Sequence, residues 1–270
     1  MRKNLFTVLN YFGYFSYPPS LLEIHRYFPV KITLRQIHQL LLDEAQRGTV
    51  VSMSKNRYFR LSQKASNTLP QYGIQQEKQL EKRIGWYLAL LKACPCVRFV
   101  GITGSSAVEG YKKGKDIDIF IIARHRLLWT TRFFSVLCAK LLSIRGREGV
   151  CLNLFFDEDD ILIPQKKQNS YIGHELLQMK PIIDKGNFAS KLLFINKWIY
   201  SYFPNAPKQT RSNISSCTKP SVLQGIDSFF KSIQISVIRR NKTGFLITDS
   251  QLWLFKSDFE KKLKRKGLVI

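Results

Sequence analysis

Apolar and polar positions follow helical spacing in three short segments at the start of the chain, and strand spacing directly after them. The first helix is predicted over Asn4–Phe12, and the second runs from its cap at Ser20 through Arg26. A capping box over Thr33–Gln36 opens the third. Its apolar side consists of Leu34, Ile37, Leu40, Leu41 and Ala45. Two strands, Thr49–Met53 and Arg57–Leu61, then flank a turn, which predicts three helices followed by a β-hairpin.

The middle of the chain alternates amphipathic segments with short, almost wholly apolar ones. A long amphipathic helix is predicted over Gln75–Ala93, followed at once by an apolar strand over Val97–Ile102. A second strand carries Asp116 and Asp118. The later predictions are the strand Val150–Phe156 and the helices Leu127–Ile144, Ser170–Met179, Phe188–Phe203, Val222–Arg240 and Ser257–Lys266. Helices and strands in this order predict an α+β fold with a mixed sheet.

Two polar, turn-rich stretches divide the chain into three parts. Residues 62–73 and 205–220 have the composition of linkers. Residues 1–66 are therefore predicted to form one domain and residues 67–205 a second, with residues 206–270 as a linker and a basic helical segment. The helices and hairpin of the first domain resemble a winged helix. In that family the third helix commonly lies in the DNA major groove, although a module of this kind can instead pack on its neighbouring domain.

The strand with Asp116 and Asp118 is the candidate for chemistry. Residues two apart on a strand share a face, so both carboxylates lie opposite Ile117 and Ile119, which face a core. Two close carboxylates favour a hard divalent cation between them, such as Mg²⁺. Upstream, the turn Gly104-Ser105-Ser106 permits close backbone approach and can offer free N–H groups to phosphate. A metal-free αβ domain with a solvated strand edge is the alternative.

Gly104-Ser105, ten residues, then Asp-Ile-Asp-Ile from Asp116 resembles the signature of the DNA polymerase beta-like nucleotidyltransferase superfamily. The wider segments GITGSSAVEG, DIDIFII, CLNLFF and YIGHELLQMKP are similar to a group of bacterial and archaeal nucleotidyltransferase-domain proteins, over roughly residues 80–205. The resemblance implies a nucleotidyltransferase sheet flanked by helices, with an N-terminal winged helix and C-terminal helices beside it. It also implies an NTP substrate and Mg²⁺ or Mn²⁺ held by Asp116 and Asp118. Lys115 and His174 would join the turn in binding phosphate; a solvated lysine and a packing histidine are the alternatives.

Asn153 is the main departure from the superfamily pattern. A third carboxylate sits at this slot in the superfamily, on the next core strand, whereas Leu152-Asn153-Leu154 supplies an amide. An amide oxygen can bind a metal, but it carries no charge and cannot act as a base. Three explanations compete: one metal suffices, or Asp157, Glu158 or Glu175 substitutes for the third carboxylate, or the domain binds nucleotide without catalysis. Asp116, Asp118 and Asn153 are the predicted catalytic residues.

The charge of the 270-residue chain points to a polyanionic partner. Lys and Arg number 43 against 19 Asp and Glu, a formal charge of +24, which favours nucleic acid first and an anionic membrane surface second. The predicted nucleic-acid contacts are Arg35, Lys55 and Arg57 of the first domain and Lys264 and Arg265 of the C-terminal run. A basic run of that kind is also typical of a solvated helix face.

Neither cysteines nor apolar runs indicate another class of protein. An odd number of cysteines, five, predicts no disulfide framework, and Cys94-Pro95-Cys96 has no second pair to complete a zinc site. No apolar run is long enough for a membrane span, and the N-terminus lacks a cleavage site for a signal peptide. The expected location is the cytoplasm, with no membrane partner, and the oligomeric state stays open.

The predicted function is Mg²⁺-dependent transfer of a nucleoside monophosphate from NTP to an acceptor, with nucleic acid or protein favoured by the charge. The alternative is a nucleic-acid-binding regulator whose transferase-like domain binds nucleotide without catalysis. A third hypothesis is an antitoxin-like module that modifies or binds a partner protein.

Overall fold

A computed structural model describes residues 1–15, 17–53, 57–60, 74–109, 116–146, 149–209, 224–240, 246–254, 263, 265–266 and 268. Within them the chain forms an α+β fold built on a mixed six-stranded sheet, with a separate two-stranded hairpin. The α+β class and the mixed sheet flanked by helices are therefore confirmed.

The first part of the chain has the predicted order of three helices and a hairpin. Two reciprocal capping boxes start the second and third helices, Ser20 with Glu23 and Thr33 with Gln36. Such caps satisfy backbone N–H groups that have no partner within the helix. The elements are α1 Arg2–Tyr14, α2 Leu21–Arg26, α3 Leu34–Gln46, β1 Val50–Met53 and β2 Arg57–Arg60.

The later strands are β3 Val97–Thr103, β4 Ile117–Ala123, β5 Val150–Asp157, β6 Lys180–Asp184, β7 Leu246–Ile247 and β8 Gln251–Trp253. The later helices are α4 Ile74–Ala93, α5 Gly104–Glu109, α6 Leu128–Leu141, α7 Ser170–Gln178, α8 Phe188–Ile195, α9 Ile199–Tyr202 and α10 Gln224–Arg240. The large sheet has the strand order β6-β3-β4-β5-β8-β7 and contains one parallel pair, β4 with β5. The helix α6 connects these two strands, as a parallel crossover requires.

Both faces of the sheet are covered at its central strands, and β4 shows how side chains divide between them. Ile117, Ile119 and Ile121 pack into the core beneath α4, α6 and α10. Phe120 and Ile122 face the opposite core, which the N-terminal helices and α7–α9 cover. This division follows from the two-residue period of a strand. Asp118 shares the side of Phe120, so the predicted site lies on the face that carries the N-terminal helices.

The N-terminal helices pack directly on this face of the sheet. The side chain of Asn205, just after α9, accepts the N–H of Ile32 over 3.0 Å and donates to the carbonyls of Phe28 and Val30 over 3.1 and 2.8 Å. The predicted boundary near residue 66 lies outside the described residues. Residues of α1 and of β3–β5 nevertheless share one hydrophobic core.

The prediction of one helix over Phe188–Phe203 is wrong. The chain forms α8 and α9 instead, interrupted around Asn196. The buried side chain of Asn196 accepts the N–H of Ile163 over 2.8 Å and donates to the carbonyl of Ile161 over 3.0 Å. These bonds to a distant loop fix a break that the helical spacing of the apolar residues does not reveal.

Residues after 205 were predicted to form a linker and helices, and α10 is present there, but two strands that the pattern did not predict, β7 and β8, extend the sheet beyond β5. The strand β6 is a further element that the sequence pattern missed. Its Pro181 indicates the end of a helix, but proline is also tolerated in an edge strand, and β6 is at the edge. Most of the helix predicted over Ser257–Lys266 lies outside the described residues.

Candidate active site

The register of β3, β4 and β5 gathers polar groups at the start of β4. Asp118 lies opposite Thr103 on β3 and opposite Cys151 on β5, and Asp116 immediately precedes β4. As predicted, Ile117 and Ile119 are buried, whereas both carboxylates remain partly accessible.

Gly104 brings the backbone of the turn against the carboxylate of Asp118. Its φ is +67°, in the region that glycine adopts most readily. A Cβ at this position would lie 3.3 Å from Asp118 Cγ and closer still to Oδ2. Glycine is therefore needed here both for its backbone conformation and for the space that it leaves.

Glu175, on α7, occupies the backbone N–H of this turn. Its Oε2 accepts the N–H of Gly104 over 2.6 Å, and its Oε1 accepts Gln178 Nε2 over 2.8 Å. Burial raises the pKa of Glu175 to about 8, and the neighbouring charge of Asp118 adds to the increase. Of the three acids considered as substitutes for a third carboxylate, Glu175 is the one at this site.

Asp157 and Glu158 lie at the opposite end of the parallel pair. Asp157 pairs with Ala123 at the end of β4, six residues along β5 from the partner of Asp118. That separation is roughly 20 Å at about 3.3 Å per residue.

Asn153 contacts the predicted metal ligand directly. Its Nδ2 donates to Asp118 Oδ1 over 2.9 Å. Burial raises the pKa of Asp118 to about 6; the hydrogen bond from Asn153 opposes the increase and the charge of Asp116 adds to it. A carboxylate that is partly withdrawn from water gains from a nearby cation, so the environment of Asp118 fits a divalent metal ligand.

Cys151 is a site residue that the sequence pattern did not single out. Its Sγ donates to Asp116 Oδ2 over 3.3 Å. Burial raises the pKa of this thiol to about 12, and the hydrogen bond to Asp116 acts in the same direction. The thiol therefore stays protonated and serves as a donor that orients Asp116. Its position one residue before Leu152-Asn153 is the signal that could have identified it.

The remaining predicted phosphate ligands are distributed differently. Ser106 is buried, and its Oγ donates to the carbonyl of Asp116 over 3.2 Å, which braces the turn against β4. Ser105 follows Gly104 in the first turn of α5. Lys115 lies outside the described residues.

His174 packs against the N-terminal helices rather than at the phosphate turn. Its ring is stacked between Tyr11 and Tyr27, with both centroid distances 3.9 Å, and is 5% exposed. Burial lowers its pKa, so the ring is neutral. A neutral ring covered on both faces packs two parts of the chain together, and we exclude His174 from the phosphate ligands.

The predicted nucleic-acid contacts fall into three groups. Arg35 and Arg265 are exposed. Arg57 is engaged within the chain, where its guanidinium donates to the carbonyl of Pro18 over 2.7 Å and lies over the ring of Tyr17. Lys55 and Lys264 lie outside the described residues. Arg35 and Arg265 are therefore the better probes of a nucleic-acid surface.

A second group of metal-binding side chains lies elsewhere. Among the residues that the structure describes, one set of at least three His, Cys, Asp or Glu side chains has its ligand atoms within 4.8 Å of one another, and it consists of His125, Asp157 and Asp159. The site at Asp116 and Asp118 offers two carboxylates. That number suits Mg²⁺, which commonly takes its remaining ligands from water and substrate phosphates.

Comparison of the chain with protein-family models, with curated proteins and with solved structures finds no match. In the described part of the chain, no helix combines the length and apolar character that a membrane span needs.

Proposed function

We propose that the chain is a nucleotidyltransferase that moves a nucleoside monophosphate from NTP onto an acceptor and releases pyrophosphate. The observation that carries this proposal is the close approach of the Gly104 backbone to the Asp118 carboxylate. A phosphate bound at the Gly104 N–H would lie beside a metal-binding carboxylate, as phosphoryl chemistry requires.

The donor set supports a divalent ion as cofactor. Asp116 and Asp118 would hold Mg²⁺ or Mn²⁺, which supplies charge neutralisation for the attacking and departing oxygens. The Cys151 thiol orients Asp116, and the Asn153 amide orients Asp118. These neutral donors fix the carboxylates without adding a third negative charge.

Glu175 is the acid that would take the place of the missing third carboxylate. The amide of Asn153 cannot accept a proton from the acceptor hydroxyl. The pKa of Glu175 is about 8, close to the working pH that favours a general base. We assign the proton to the ionised form of Glu175, which is the minor form at neutral pH and lies at the turn through its hydrogen bond with the Gly104 N–H. A phosphate at that N–H would have to replace the carboxylate.

Transfer of label from each α-³²P-NTP to protein and to total cellular RNA tests the proposal. With Mg²⁺ or Mn²⁺ present, Asp118→Asn should remove transfer, while Asp43→Asn, an aspartate on α3, should retain it. Equal transfer by the wild type and Asp118→Asn would refute the proposed function.

A regulator that binds nucleic acid and only senses nucleotide is the second candidate. The amide at Asn153 and the occupation of the Gly104 N–H by Glu175 favour it. It predicts nucleotide binding without turnover, and nucleic-acid binding that survives loss of Asp116 and Asp118. Charge removal at Arg35 and Arg265 should then weaken binding in a salt-dependent way. Binding unchanged by those substitutions would contradict this candidate.

A further inference from the structure

The carboxyl ends of β4 and β5 bring a second set of ligand side chains together. Because these strands are parallel and pair Ala123 with Asp157, the segments that follow them emerge at the same edge of the sheet. One segment is Arg124-His125-Arg126, and the other runs from Asp157 to Asp160. This edge is the opposite end of the strand pair from Asp118.

Three side chains at this edge form a compact donor set. The ligand atoms of His125, Asp157 and Asp159 all lie within 4.8 Å of one another, and His125 Nδ1 contacts Asp159 Oδ2. Glu158 points elsewhere, since its carboxylate accepts Arg98 Nε and the N–H of His125. The acidic run therefore divides into residues that face the donor set and one that supports the turn.

Backbone N–H groups hold the carboxylate of Asp157 in a buried position. The residue is 6% exposed. Its Oδ2 accepts the N–H of Arg126 over 2.7 Å and its Oδ1 accepts the N–H of Asp159 over 3.1 Å. Among the described residues, no lysine or arginine forms an ion pair with it. The backbone thus fixes the carboxylate in place, and each oxygen keeps a second lone pair for a ligand.

The surrounding cleft concentrates negative charge in a chain of net charge +24. Its volume is about 390 Å³, and its lining includes Asp157, Asp159, Asp160, Asp227 and Asp249. These are five of the ten aspartates in the sequence. Arg126 and Lys231 also line it, but Lys231 is paired with Asp249 over 2.6 Å. Such a density of like charge favours a cation in the cleft.

We propose that His125, Asp157 and Asp159 bind a divalent transition-metal ion, of the class of Mn²⁺ or Zn²⁺. An imidazole nitrogen with two carboxylates suits these ions better than Ca²⁺ or Mg²⁺, which take oxygen ligands almost exclusively. Three protein ligands leave at least one coordination position open toward the cleft. The site is separate from the proposed transferase centre and does not depend on it.

Binding of Mn²⁺ to the full chain tests the site. The background is the double variant Asp116→Asn/Asp118→Asn, which removes the other candidate site; Mn²⁺ also avoids the cysteine thiols, which attract Zn²⁺. Titration calorimetry and the EPR signal of free Mn²⁺ should give one bound ion per chain in this background. Adding His125→Ala or Asp159→Asn should weaken binding at least about tenfold, while adding Asp43→Asn should leave it unchanged.

The side chains of His125 and Asp159 are accessible enough to be replaced without opening the core, unlike that of Asp157. Matching circular dichroism spectra and thermal midpoints in EDTA would show that each variant is folded. Absence of Mn²⁺ binding in the double variant would overturn the proposal, as would equal affinity after His125→Ala.

Discussion

The carboxylates at the two ends of the β4–β5 pair have different neighbouring side chains. At the start of β4, Asp116 and Asp118 receive hydrogen bonds from a thiol and an amide, and the backbone of Gly104 lies against the Asp118 carboxylate. At the far end, Asp157 and Asp159 lie with an imidazole in a cleft rich in further aspartates. Two carboxylates beside a backbone turn suit a metal that takes its remaining ligands from a substrate, whereas an imidazole with two carboxylates suits a metal that the protein holds through three ligands of its own.

We expect the largest effect from Gly104→Ala, which would disrupt the site at Asp118 and leave the site at His125 intact. A Cβ there displaces the Asp118 carboxylate, and the left-handed backbone adds about 1–2 kcal/mol of strain. We expect nucleotidyl transfer to fall at least about 100-fold, as misplacement of a catalytic group by about 1 Å can produce. Mn²⁺ binding at His125 should persist.

Two other glycines provide matched controls for this change. Gly48 has φ +66° with nothing within 4 Å of a Cβ, so Gly48→Ala measures the backbone strain without the collision. Gly85, exposed on α4, has neither feature, and Gly85→Ala should be neutral or slightly stabilising. If Gly48→Ala and Gly104→Ala lost transfer equally, close approach to Asp118 would not be the cause.

A smaller effect concerns the pH dependence of metal binding at the first end. Because the pKa of Asp118 is about 6, protons compete with a metal ion for its carboxylate below that pH. In the His125→Ala variant, which isolates this end, the affinity for Mn²⁺ should fall by about tenfold per pH unit below pH 6. An affinity that stays constant between pH 5 and 7 would mean that Asp118 is not a ligand.

The last effect is on stability, through Glu175→Gln. The raised pKa of Glu175 means that the folded chain keeps a proton which the unfolded chain releases near its ordinary value of 4.5. The wild type should therefore lose stability as the pH rises from about 4.5 to 8, by at most about 1.4 kcal/mol per pH unit. In urea unfolding measured in EDTA, the free energy of unfolding of Glu175→Gln should lack this decrease with rising pH. If the free energy of unfolding changed with pH in the same way in the wild type and in Glu175→Gln, that result would contradict the raised pKa of Glu175.

Local rules predicted the parts of the site that lie close in sequence. Alternation along β4 placed Asp116 and Asp118 opposite Ile117, and the capping boxes at Ser20 and Thr33 fixed two helix starts. These features depend on neighbouring residues, which a single sequence displays directly.

Features that depend on pairing over long distances could not be predicted in the same way. Glu175 reaches Gly104 across 71 positions, through the packing of α7 on the sheet. The donor set at His125 requires β4 and β5 to be parallel and in register, although both polar runs were visible in the sequence. The break at Asn196 and the three-residue strand β8 are stabilised by partners far along the chain.

The hydrogen bonds of Asn205 form late during synthesis, because this residue is made long after the loop that it anchors. This side chain anchors the loop after α2 across a separation of up to 177 residues. At about 5–20 residues per second, the ribosome needs roughly 9–35 s to produce Asn205 after the loop has been made. For that time the aromatic side chains of α1, and Tyr27 just after α2, lack the surface that later covers them. A chaperone that covers these side chains would therefore act on the N-terminal segment during this interval.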